Sequence, residues 1–544
     1  MNTKHLYSGN IVDIYHRKIF KGTIEVIGDK ITDIREEETK SEEFYLPGFI
    51  DAHIHIESSM LVPFEFAKVA LKHGTIATIS DPHEIANVLG IDGVKYMIKN
   101  AKHAKLKFHF GAPSCVPATN FETAGAVIDV EGVNELLMLD DIYYLSEMMN
   151  YPGVLFDDKE VLQKIALAQK HHKPIDGHAP GLRGEQAQKY ISAGISTDHE
   201  CFTYEEALEK IQLGMKILIR EGSAARNYEA LHPLIGQYPK QLMFCCDDKH
   251  PDELLLFHID EHVRRSIQLG YDLFDVLSIA CLHPIQHYQM NVGTLKVGDK
   301  ADFIAVNNLK EFKVLKTIIN GEEVFDGSWV HLSEIIHETP NQFIQNKISA
   351  DGFKIKAEYE FLHVINALDG QLITHSSREK ANIVNGYLES DVSNDLLKIA
   401  VINRYQDAPI SCAFIKNFGL KEGAIASSVA HDSHNIIVVG VDDQSMCDAV
   451  NLIIASRGGL SLVSSNNTQV IGLPVAGLMS DQDAVTIGKQ YAEIDLAAKQ
   501  LGSKLKAPYM LLSFMALLVI PTLKISDKGL FDGGSFQFAS LQIQ

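Results

Sequence analysis

The chain has one tryptophan, seven cysteines and too few basic residues to balance its acids. Each shortage excludes something. The cysteines are scattered, Cys245 and Cys246 are neighbours, and no Cys-x-x-Cys spacing occurs, so this is not a disulfide framework and a reducing cytoplasm fits. Lys and Arg number 49 against 70 Asp and Glu, a net charge of −21 that argues against nucleic acid and anionic membrane as partners. Residues 1–16 contain no apolar core of the secretory-signal kind, so no signal peptide is expected. The longest apolar run, Met510 to Ile520, is too short to span a bilayer and reads as a buried strand or core helix. Internal repeats, low-complexity tracts and long linkers are absent.

What remains is globular: 544 residues, 46% hydrophobic and 22% charged, enough for two or three domains. Histidine is unevenly spread, with 18 of 24 before residue 300. The early part of the chain therefore carries most of whatever the histidines do.

Residues 1–47 alternate apolar and polar positions with turn signals, including a hairpin at Gly28-Asp29, and residues 293–326 read the same way. Neither piece can bury a core alone. The reading is one small β-sandwich domain assembled from both flanks, 1–47 and 293–345. Between them, in 48–292, strand-like runs at about 49–55, 75–81, 107–113, 141–147, 174–178, 195–199, 215–221 and 242–247 alternate with amphipathic stretches such as Pro63–Gly74, Asp92–Ala104, Lys159–His172, Tyr204–Gly214 and Leu254–Leu269. Eight β-then-α units in about 250 residues predict an α/β fold of the (β/α)8 TIM-barrel type. Residues 346–544 predict a separate α+β domain, with strands near Ile399 and Gly423 and helices at Gln444–Arg457 and Ala484–Leu501.

Within Leu46–Met60, His53 and His55 stand two apart on a short apolar run. On a strand such residues share a face, and two imidazoles there can grip one metal ion; two histidines on a solvated face would look the same. Active-site residues of a TIM barrel sit at the C-terminal ends of its strands. Those ends carry His53 and His55; Asp81, His83 and Glu84; Ser114 and Cys115; Ser146 and Glu147; Asp176 and His178; Asp198 and His199; Arg220, Glu221 and Ser223; Asp247 and Asp248. The set can hold two divalent ions. Glu147 would bridge, with His53, His55 and Asp247 at one ion and His178 and His199 at the other; Asp248 is the alternative to Asp247. Water between two cations loses a proton near neutral pH. The ligands are mixed nitrogen and oxygen, which suits manganese, iron or zinc.

The segments Pro47–Met60, Asp81–Val88, Leu145–Asn150, Asp176–Gly181, Cys245–Pro251 and Ala424–Asn435 resemble the amidohydrolase superfamily, and within it the bacterial adenine deaminases. The resemblance covers nearly the whole chain, and the segment around His431-Asp432-Ser433-His434 is its most specific part. Hydantoinase-like and dihydroorotase-like relatives carry a carboxylated lysine on strand 4. Here Glu147 stands there, which argues against cyclic-amide hydrolysis. The resemblance implies hydrolysis of adenine to hypoxanthine and ammonia, in purine salvage, at a dinuclear site with manganese first and iron or zinc as alternatives. It makes Asp247 the proton relay for the attacking water. Glu84 is the candidate for protonating the ring nitrogen or the exocyclic amine, with His83 behind it.

Glu84, Ser114, Glu221 and Ser223 are the substrate-contact candidates, although Ser114, Glu221 and Ser223, like Arg226 beside them, read more readily as organisers of loops. Asp81 and His83 fit a supporting role behind the ligands. The His431–His434 segment could reach the pocket, a subunit interface, or only its own turn. Competing functions are another deaminase or cyclic amidohydrolase of the superfamily and, from a different class, a catalytically dead scaffold, which would be expected to have lost metal ligands. The expected partners are adenine and water, with a homo-oligomer, a dimer first, in the cytoplasm.

Overall fold

The structure, a computed structural model, describes residues 3–544; residues 1 and 2 of the expected flank domain lie outside the described residues. Eight parallel strands follow one another in chain order: β1 (Phe49–His55), β2 (Thr75–Ser80), β3 (Lys107–Ala112), β4 (Ile142–Met148), β5 (Ile175–Gly177), β6 (Thr197–Asp198), β7 (Lys216–Arg220) and β8 (Leu242–Cys245). Strands β1 to β5 form one ladder and β6 to β8 another. After β8 the chain resumes pairing at Asp247–Asp248, parallel to Ile54 and His55 of β1, which closes the barrel on that side. Between β5 and β6 the ladder gives way to single bonds: Ser196 N–H to the Ile175 carbonyl at 3.0 Å, and Gly177 N–H to Thr197 Oγ1 at 3.3 Å. A Cβ on Gly177 would meet the Thr197 carbonyl oxygen at 2.3 Å, so only glycine lets the two strand ends approach this closely just before His178.

All seven residues of β1 are buried. A strand covered on both faces can be apolar throughout, so its polar members, Asp51, His53 and His55, spaced two apart, stand out as the inward set. The helices begin where side chains can cap them: Asp158 accepts from Val161 N–H at 3.1 Å and Thr203 from Glu206 N–H at 3.2 Å, opening helices Lys159–Lys170 and Tyr204–Gln212. The second of these stops at Gly214, whose φ of +98° continues no helix.

Two sequence expectations need adjusting. The helix expected over 254–269 is split into Pro251–Leu254 and Ile259–Gln268, because His258 turns inward to Asp51, with Nε2 to Oδ2 at 2.9 Å. The strand expected over 242–247 breaks at Cys246, and Asp247 takes a left-handed φ of +57°.

The flanks form one continuous seven-stranded sheet, and not two separate facing sheets, with Phe44–Pro47 paired antiparallel to Phe303–Val306. The sheet curls around a small core in which the Tyr7 and Phe303 rings meet edge-on at 5.1 Å. One edge strand, Lys30–Glu36, is tied to the loop before the middle strand Phe303–Val306, where Ile31 N–H donates to the Asp299 carbonyl at 3.0 Å. Residues 361–543 build a nine-stranded sheet with helices Asp443–Ser456, Ala484–Gln500 and Pro508–Phe514. The last of these takes up the first half of the Met510–Ile520 apolar run. This C-terminal unit caps the end of the barrel at which its strands terminate: Asn435 Nδ2 donates to the Thr123 carbonyl at 2.8 Å, and Ser526 Oγ to that of Phe121 at 2.8 Å. No helix among the described residues is long and apolar enough to cross a membrane.

Candidate metal centre and active site

His53 and His55 present their Nε2 atoms 3.2 Å apart. Asp247 Oδ1 stands 3.1 Å from the His55 nitrogen and 3.6 Å from that of His53. Glu147 divides its two oxygens. Oε1 is 3.3 Å from His55 Nε2; Oε2 is 3.2 Å from His199 Nε2 and 2.6 Å from His178 Nδ1. The His53 and His199 rings stack at 4.1 Å. The six residues expected as ligands from five different strand ends are thus brought into one buried cluster.

The donor chemistry of the cluster fits cations. Carboxylate oxygens and imidazole nitrogens converge, and two imidazole nitrogens at 3.2 Å satisfy each other poorly. His55 is oriented by its other nitrogen, whose Nδ1–H donates to the Asp81 carbonyl at 3.1 Å and frees Nε2 to face the cluster. The electrostatics agree. Burial disfavours a charged His55, yet Asp247 and Glu147 outweigh it and push its pKa well up. Burial likewise opposes charge on His178, but Glu200 and Glu147 raise it to about 9. Glu147 and Asp247 are held well below the usual carboxylate range despite their burial, the first by His178, the second by Arg220. The cluster calls for positive charge, which divalent ions would supply.

A supporting ring holds these groups. Arg220 lies between Glu200 and Asp247 and pairs with both, while its Nε donates to the Ala225 carbonyl at 2.9 Å. Asp81 Oδ2 accepts from Glu147 N–H at 3.3 Å. Asp51 Oδ1 accepts from Cys246 N–H at 3.0 Å, fixing the turn that delivers Asp247. The left-handed backbone at Asp247 costs about 1–3 kcal/mol, strain of a kind that gathers at working sites. Asp248, the alternative ligand, is instead bonded by Ser58 Oγ.

Glu84, at the start of the helix after β2, is met by both histidines of the C-terminal segment. His431 Nδ1 bonds one carboxylate oxygen and His434 Nε2 the other, 347 and 350 residues away along the chain. His83 stands between the two carboxylate groups, Nδ1 3.5 Å from Glu147 and Nε2 3.5 Å from Glu84. Burial works against charge on Glu84, but the histidines hold its pKa well below normal. His431 in turn is raised to about 9, burial being outweighed by Glu84. Of the readings open for the His431–His434 segment, the structure selects the pocket.

A small pocket of about 30 Å³ lies over the cluster, walled by Glu84, Glu200, Leu372, Asp432 and Phe514 among others. Three of the substrate-contact candidates are not in its wall. Ser114 Oγ donates to the Glu147 carbonyl at 2.6 Å and so holds the main chain of that residue. Glu221 is tied to Arg265. Ser223 donates to Glu253 at 2.9 Å and borders a neighbouring cavity. Sequence reasoning missed Glu200 and gave Arg220 no role, while Asp432 belongs to the segment expected to reach the pocket. Glu200 follows His199 directly, and that adjacency was its signal. Nothing local marks Leu372 or Phe514.

Comparison with known proteins follows the same lines. Residues 44–324 match the amidohydrolase family, and residues 371–537 match the adenine deaminase C-terminal domain. An adenine deaminase of Sulfurovum sp. (strain NBC37-1) is 55% identical over 97% of this chain and 98% of its own length. Those of Methanosarcina mazei and Borreliella burgdorferi are each 50% identical, over 98% and 97% of this chain and 99% and 98% of theirs. With an amidohydrolase barrel, a cation-fitting cluster at its strand ends and full-length relatives at this identity, the chain belongs to the adenine deaminase family of amidohydrolases.

Proposed function

We propose that the chain hydrolyses adenine to hypoxanthine and ammonia, with two divalent cations, manganese first and iron or zinc as alternatives, held by His53, His55, Glu147, His178, His199 and Asp247. The observation that carries this reading is the divided aim of Glu147, one oxygen toward His55 and the other toward His178 and His199, which suits a carboxylate shared by two ions. Cations held there would lower the pKa of water to about 7, so that it can attack the amino-bearing carbon at neutral pH. Asp247 stands among the imidazoles as a carboxylate and is the acceptor for the proton of the attacking water. Glu84, His431 and His434 form the second proton-handling unit. With Glu84 held ionised and His431 protonated to about pH 9, the proton for the ring nitrogen or the departing amine rests on the His431 side of the pair and reaches the purine through Glu84. Asp81 and His83 orient and screen these groups.

Glutamate in place of lysine at the bridging position favours deamination over cyclic-amide hydrolysis, and retention of all six donors disfavours a dead scaffold. The test is ammonia release from adenine and from adenosine by manganese-loaded protein. Turnover of adenine alone is expected, and no release from adenine would overturn the reading. In metal-loaded Asp247→Asn, turnover should fall by about 10²–10⁴; near-normal turnover would remove Asp247 from its role. The reading includes a cytoplasmic setting, supported by seven unpaired cysteines, and a dimer, checked by light scattering.

A further inference from the structure

Two histidines hold Glu84, and their other hydrogen bonds set them apart. His434 accepts at Nδ1 from Ala430 N–H at 3.2 Å, so its ring is neutral and its one hydrogen, on Nε2, goes to Glu84. Glu84, His431 and His434 lie close enough together to gather a cation. A metal-binding imidazole donates from its second nitrogen, whereas that of His434 accepts, so the trio holds protons instead. Of the two histidines, His431 is the one that lines the pocket over the cluster.

His431 is pinned on two sides. Its Nδ1 bonds Glu84, and its ring lies against that of Phe514, centroids 4.9 Å apart and planes 19° from parallel. Lys524 Nζ donates to the Phe514 carbonyl at 3.0 Å, which steadies the stacking partner in turn. The second nitrogen of His431, Nε2, makes no hydrogen bond among the described residues, yet it is not one of the unbonded polar atoms that the protein closes off. It is the open polar atom of a residue otherwise buried, and it opens where His431 meets the pocket. Burial opposes charge on the ring, but Glu84, Asp248 and Asp432 outweigh it and keep the ring protonated up to about pH 9. Such a ring carries hydrogen on both nitrogens. Glu84 takes Nδ1–H, and Nε2–H is left for the pocket. When the Nδ1 proton passes to Glu84, Nε2–H stays in place.

We propose that His431 is a substrate-binding residue, whose Nε2–H donates to a ring nitrogen of adenine other than N1. The proposal rests on adenine as the substrate. Adenine offers acceptors at N1, N3 and N7, and Glu84 serves the edge made by N1 and the amine, which leaves N3 or N7 for His431. A donor on a second nitrogen stops the flat ring from turning in its own plane. The amino-bearing carbon, and not one of the two C–H carbons, then faces the water at the cluster.

The test uses the two sides of the imidazole. Full-length, metal-loaded protein carrying Asp247→Asn to block turnover is dialysed to equilibrium against adenine, 3-deazaadenine and 7-deazaadenine. At least one analogue should bind at least about tenfold more weakly than adenine, the scale of a lost hydrogen bond to a charged group. A penalty on the first places the contact at N3, on the second at N7. Adding His431→Asn, whose amide reaches Glu84 in place of Nδ1 but puts nothing at Nε2, should weaken adenine at least about tenfold and erase that penalty. His431→Gln, whose amide stands in place of Nε2, should keep it. Two analogues that bind as well as adenine would overturn the proposal without any substitution at 431. So would penalties that persist unchanged in folded His431→Asn. Adenine turnover by the unsubstituted enzyme is measured alongside, so failure of the activity is separate from failure of this contact.

Discussion

Lys524 lies on the strand Leu523–Ser526, 0% exposed, with no carboxylate beside it; its Nζ donates to the carbonyls of Leu372 at 2.5 Å and Phe514 at 3.0 Å. Burial alone pushes its pKa from the ordinary 10.5 down to about 7. A neutral amine keeps two hydrogens, enough for both carbonyls. Between about pH 7 and 10.5 the unfolded chain therefore binds a proton that the folded chain does not, so folding stability rises with pH across that window. Below about 7 both states hold the proton and the penalty is constant at its largest. At about 1.4 kcal/mol per pH unit, the full depression amounts to about 5 kcal/mol. Lys524→Met lacks this dependence. In urea unfolding, the stability of the unsubstituted protein relative to Lys524→Met should climb by about 2–3 kcal/mol from about pH 7.5 to about pH 9.5. A difference that does not change with pH would refute the reasoning. Because Leu372 and Phe514 wall the metal pocket, the same substitution should raise KM for adenine more than it lowers kcat.

Arg220→Met leaves Glu200 and Asp247 as buried carboxylates without their guanidinium and should cost about 3–5 kcal/mol in denaturant unfolding. Glu84→Gln should lower adenine turnover by about 10²–10⁴ while metal content, read by elemental analysis, stays unchanged. Chelation should abolish turnover and lower the thermal midpoint. Resupplying manganese at about 100 times its dissociation constant should restore about 2.7 kcal/mol of stability together with activity.

Much of the barrel is legible along the chain because each β/α unit is written locally, in apolar runs, caps and stops; His53, His55, Glu147, His178, His199 and Asp247 follow from a rule about strand ends. The exceptions are instructive. Ser114 and Glu221 stand at strand ends too, but Ser114 turns to the Glu147 carbonyl and Glu221 to Arg265, and periodicity does not say which way a rim side chain swings. The break at His258 is likewise invisible locally, since its cause is Asp51, two hundred residues earlier.

The sequence by itself determined the eightfold alternation, the donor types at the strand ends and, through glutamate at 147, which carboxylate stands between His55 and the His178–His199 pair, because covalent order and residue chemistry settle these. Only the tertiary structure decided that Glu84 shares its two oxygens with His431 and His434, that Arg220 stands between Glu200 and Asp247, and that Leu372, Phe514 and Tyr491 from the C-terminal domain wall the cavities above the barrel. Those contacts join residues as much as 350 positions apart, and no local propensity encodes them. They exist because the cap must bury its apolar face somewhere, and it does so over the open end of the barrel.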